Sequence, residues 1–129
     1  MKPYVAVLIS LVASTAFAQE PAFTHGPIGF QPKGWDSAQL TETQKKDLDA
    51  CLSDAAKNSE ASKKDRAALD SLYGFKPGQM DYYGAALSGC LTDEKHGKGW
   101  IAVQRSGQLW EPVSSRYALR TFMGMDPSK

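Results

Sequence analysis

The chain has 129 residues, 42% of them hydrophobic and 22% charged, with a formal net charge of +1. These proportions suit one small globular domain; they are too apolar for a wholly disordered chain, and the chain is too short for a two-domain enzyme. The near-neutral balance gives no electrostatic reason to expect a nucleic-acid or anionic-membrane partner.

Residues 1–18 read as a secretory leader. Met1-Lys2 supplies the positive start and Tyr4 to Ala13 the apolar run. Ala16-Phe17-Ala18 gives the small-x-small pattern that signal peptidase accepts, so cleavage is expected between Ala18 and Gln19. An N-terminal anchor is the competing reading. The apolar run falls short of the ~20 residues that span a bilayer, so no stable membrane span is expected after cleavage. Loss of Lys2 leaves 14 basic against 14 acidic side chains. A periplasmic or secreted location follows.

Export sets the meaning of the two cysteines. In an oxidising compartment Cys51 and Cys90 have a single intramolecular pairing, so a Cys51–Cys90 disulfide is expected. Redox and zinc pairs place their cysteines close together as Cys-x-x-Cys, which these are not.

Residues 19–36 follow as a Pro/Gly-rich arm. Pro21, Pro27 and Pro32 alternate with Gly26, Gly29 and Gly34, a density of breakers that predicts poor order, with Phe23, Ile28, Phe30 and Trp35 lying along the domain surface. The first helix starts at the capping-box pattern Thr41-Glu-Thr-Gln44 and carries the stripe Leu48, Cys51, Leu52, Ala55 until Asn58-Ser59 interrupts it. A second helix is predicted from Ser62, with Ala68, Leu69, Leu72 and Tyr73 inward and Gly74 as its stop. A third runs from about Gln79 to Glu94 on Met80, Tyr83, Leu87, Cys90 and Leu91.

Beyond Gly99 the pattern changes. Residues 100–111 read as a β-hairpin turning at Ser106-Gly107, with Val103 opposite Trp110; a continuous helix competes, and Pro112 argues against it. A last helix spans Ser115 to Met123 with Ala118, Leu119 and Phe122 inward. The expected fold is mainly α: a disulfide-stapled domain of about four helices over residues 37–129, with a short hairpin near the C-terminus.

Motifs for chemistry are sparse. His25 and His96 lie in separate Gly-containing loops without metal-ligand spacing, no Gly-x-Ser-x-Gly elbow occurs, and Gly97-x-Gly99 lacks the third glycine of a nucleotide loop. No metal, cofactor or catalytic residue is therefore assigned. One enzymatic constellation is worth naming: Asp93, Glu94 and His96 beside Trp100, with Glu111, as acids of a small glycan- or cell-wall-acting hydrolase.

Binding has a stronger basis. Residues 95–129 carry Lys95, Lys98, Arg105, Arg116, Arg120 and Lys129 against only Glu111 and Asp126. Arginine with tryptophan is a composition favoured at interface hot spots, which singles out Arg105, Trp110, Arg116 and Arg120 as partner-binding residues. The competing reading makes these aromatics core and the arginines its solvated rim. The sequence thus predicts an exported, non-catalytic protein that binds a protein or envelope macromolecule as an inhibitor, immunity-type or accessory protein. A structural or chaperone-like envelope protein is the further alternative.

Overall fold

The computed structural model describes residues 19–36 and 38–129, so the leader reading lies outside the described residues. Two glycines with positive φ, Gly26 (59°) and Gly107 (61°), each open a two-residue loop between antiparallel strands, a backbone position that side chains rarely adopt. The first hairpin joins β1 (Phe23–His25) to β2 (Ile28–Pro32), and the second joins β3 (Trp100–Ser106) to β4 (Leu109–Val113). They zip together in the order β1-β2-β3-β4, with Phe30 opposite Ala102 and Ile28 opposite Gln104.

The fold is therefore α+β, and the mainly α expectation is corrected. The error lies in the arm. Its prolines occupy places a sheet tolerates: Pro27 in the turn, Pro32 at a strand end, Pro21 ahead of β1. Gly29 sits mid-strand because the Pro21 ring lies where a Cβ would go. Every residue of β2 is buried, and Ile28 and Phe30 enter the core at the period of two that a strand requires.

Between the hairpins runs the helical insertion. Thr41 and Gln44 form the expected capping box at the start of α1 (Glu42–Ser62), which continues through Asn58-Ser59. A 3₁₀ turn (Lys63–Asp65) leads into α2 (Arg66–Tyr73), and Gly74 ends it in the left-handed conformation, φ 74°. Helix α3 (Tyr82–Thr92) is shorter than its periodic stripe, because the Asp81 side chain caps it by accepting from the Gly84 amide. After the second hairpin, Ser114 caps α4 (Ser115–Phe122).

Helix α3 is central. It packs on the sheet's inner face through a core that includes Phe30, Leu87, Leu91, Trp100 and Phe122, and Gly84 leaves room for the Phe122 ring of α4. On its other side Cys90 bridges to Cys51 of α1, with Cα atoms 5.5 Å apart. Among the described residues no helix is long and apolar enough to cross a membrane.

The second hairpin forms, with a different register. Arg105, not Val103, stands opposite Trp110, because Gly107 takes the first loop position rather than the second. A shift of two residues preserves the faces, so Val103 and Trp110 still share the outer face of the sheet.

Candidate functional site

The four residues singled out by charge and aromaticity do not form one patch. Trp110 lies on the outer face of the sheet and is only 6% exposed. Its indole Nε1–H donates to Glu20 Oε2 at 2.8 Å. The Arg105 guanidinium sits 5.7 Å from the Trp110 ring centroid and 3.8 Å from the same carboxylate, and its Nε–H donates to the Gly107 carbonyl. Residues 19–21 thus run back across the outer face as a strap. Arg116 and Arg120 lie on α4, on the other side of the sheet, and hold the chain's last residues. Arg116 donates to the Lys129 carbonyl and Arg120 to the Asp126 carbonyl, each at 2.9 Å. Ser128 donates twice to Asp126, and with Arg120 nearby these bonds keep the Asp126 carboxyl below its usual range. All three arginines already donate to the protein itself.

The acidic constellation lies in an open groove of about 510 Å³ where the end of α3 meets the starts of β3 and α4. Asp93 and Glu94 line it with Lys33, Trp100 and Ser115, but the exposed His96 does not, nor does Glu111, which stands on β4 opposite Gln104. Asp93 Oδ2 accepts the His96 amide at 2.8 Å and the Lys95 amide at 3.1 Å. Those bonds, the His96 amide foremost, hold the carboxyl below its usual range, the reverse of what a general acid requires. Trp100 is 4% exposed and offers no stacking face for a sugar. The Ser115 hydroxyl meets Thr92 Oγ1 at 2.9 Å, and Thr92 donates to the Ser88 carbonyl, so these hydroxyls satisfy one another.

No protein-family model, curated protein or solved structure matches the chain.

A surface that sequence reasoning placed in the core stands out instead. Leu72 is 74% exposed and Tyr73 62%, at the tip of α2, where Tyr73 stacks on Phe75 at 5.8 Å. Helix α2 is anchored by its polar side chains. Tyr82 donates to the buried Asp70 carboxylate at 2.7 Å, and the Arg66 guanidinium lies 4.8 Å over the Tyr82 ring while donating to Ser59 and Ser62. The hydrogen bond to Asp70 pushes the Tyr82 hydroxyl above its ordinary value. With Arg66 and Asp70 turned inward, the apolar residues two and three places after Asp70 turn out. The signal for this was present: Arg66 and Asp70 stand one turn apart on a helix of eight residues.

Proposed function

We propose that this protein is an exported, non-catalytic binding protein that docks another protein through the tip of α2. The observation that carries the reading is the exposure of Leu72 beside Tyr73, two large apolar side chains on one turn. Burial against a partner gains roughly 1.5–3 kcal/mol for each such side chain. Lys76, three residues past Tyr73, places a positive charge near the tip in sequence, which favours an acidic residue on the partner's rim. The disulfide suits an oxidising compartment. Docking by added strands fits poorly: β1 has three residues, and Pro112, opposite Val103, occupies an outward-facing position of β4 where its missing N–H leaves the edge a donor short.

Site-specific photocrosslinking in the native envelope tests this. A photoreactive residue at position 72 should give a discrete adduct that Tyr73→Ser abolishes, while the same probe at position 116 gives none. An adduct from 116 alone moves the surface to α4, and silence at both positions overturns the reading.

A further inference from the structure

We infer that the outer face of the sheet is a receptor for a carboxylate followed by proline, and that a partner protein's acidic–proline segment occupies it in exchange with the chain's own Glu20–Pro21. Two halves make up the receptor. The Trp110 indole N–H, more than nine-tenths buried, donates to the Glu20 carboxylate, and Arg105 adds its charge to the same oxygen. Next to them, Gly29 is bare where the Pro21 ring packs, with Val103 beside it; any side chain at position 29 would fill the seat of the ring.

The halves differ from their occupant in how firmly they are held. Gly29, Val103, Arg105 and Trp110 sit on paired strands, two of them across the β2–β3 junction. Residues 19–21 belong to no strand or helix and make no backbone hydrogen bond to the rest of the chain among the described residues. Their grip is one carboxylate and the buried Pro21 ring, and the Glu20 side chain remains largely exposed. A preformed receptor whose occupant is held by side chains alone is the arrangement in which a competing segment exchanges without breaking a backbone hydrogen bond. Only Ala22 joins the strap to β1, so the strap competes at a high effective concentration, and exchange favours a partner that is itself held close by a second contact.

The test uses the full mature chain carrying Glu20→Gln and Pro21→Gly, with the Trp110 indole N–H followed by NMR. Two probes are added: a tetrapeptide of the sequence of residues 19–22, and the same peptide with glutamine in place of glutamate. The indole resonance should shift when the strap is disabled and move back as the glutamate peptide is added. The glutamine peptide should bind about tenfold more weakly or worse, because a charge-assisted bond is lost. In Trp110→Phe, followed through the backbone amides of Gly29 and Val103 instead, the difference between the two peptides should narrow to what Arg105 alone supplies. Should the double variant lose the dispersed spectrum of a folded protein, Glu20→Gln alone, which keeps the Pro21 contact, carries the same titration. An indole resonance unmoved by the glutamate peptide, or equal titration by both peptides, overturns the inference. A concentration-dependent doubling of mass that Glu20→Gln removes also overturns it, assigning the receptor to the strap of a second copy.

Discussion

Asp81 and His25 meet at 2.8 Å, and the contact ties the first hairpin to the start of the central helix. Asp81 Oδ2 pairs with His25 Nε2, while its Oδ1 accepts the Gly84 amide as the cap of α3. The His25 ring also lies 5.0 Å from Tyr83 and 5.6 Å from Phe122, both next to the turn that Asp81 begins. One carboxylate therefore sets where α3 begins and how β1 approaches it.

Asp81→Ala should destabilise the protein by more than the roughly 1 kcal/mol of a lost cap, since the His25 contact goes with it. Asp81→Ser keeps an oxygen able to cap but cannot reach His25, so its unfolding midpoint in urea should fall between wild type and Asp81→Ala. Coincident midpoints for the two variants would remove capping from the role of this residue.

The Cys51–Cys90 bridge joins α1 to the central helix α3, with 39 residues of sequence separation. Closing a loop of that length is worth about 4 kcal/mol in the chain-entropy model. Replacing both cysteines with alanine should lower the unfolding free energy, read from denaturant melts, by an amount within that ceiling plus the loss of the buried Cys51 side chain. Native protein should offer no thiol to an alkylating reagent. Two alkylated cysteines before denaturation would contradict the bridge directly.

How much of this was legible depends on whether the deciding partner was near in sequence. The capping box at Thr41, the Gly74 stop, the inward cysteines and the presence of the second hairpin are local patterns, and they read correctly. Strand β2 pairs with β3, whose residues come after the entire helical insertion. Its local text, five residues amid prolines and glycines, resembles a linker unless Gly26-Pro27 is read as a hairpin loop and Ile28 and Phe30 as alternating core positions. The hairpin register turned on whether glycine took the first or second loop position, which local pattern does not fix. On α2, the apolar stripe stood out more than the Arg66 and Asp70 pair one turn apart on the other side, and the Tyr82 contact with Asp70, twelve residues away, makes that polar side the covered one. The basic character of the C-terminal third was plain in the sequence. That Glu20 would reach Trp110 across 90 residues was not.

The Tyr82–Asp70 bond gives the anchoring of α2 a pH dependence with a definite sign. Tyr82 is raised first by donating to Asp70, then by burial and by the Asp70 charge, while the Arg66 guanidinium over its ring opposes these. An unfolded tyrosine ionises near 10.0, and in the folded protein Tyr82 ionises higher. The stabilisation is therefore complete below that ordinary value and is lost as pH rises through the folded one, when a phenolate would face a buried carboxylate. In an alkaline titration followed by phenolate absorbance, the last component to ionise should vanish in Tyr82→Phe and move to lower pH in Asp70→Asn. Tyr82→Phe should also destabilise the protein at neutral pH by about 1–3 kcal/mol, because the buried Asp70 loses its donor. A photoreactive probe at position 72 should then lose its crosslink in wild type as pH rises through the folded value, while Tyr82→Phe, with no phenol to ionise, shows no such step. Persistence of the late-ionising component in Tyr82→Phe would assign it to Tyr73, Tyr83 or Tyr117 and leave α2 held by Arg66 alone.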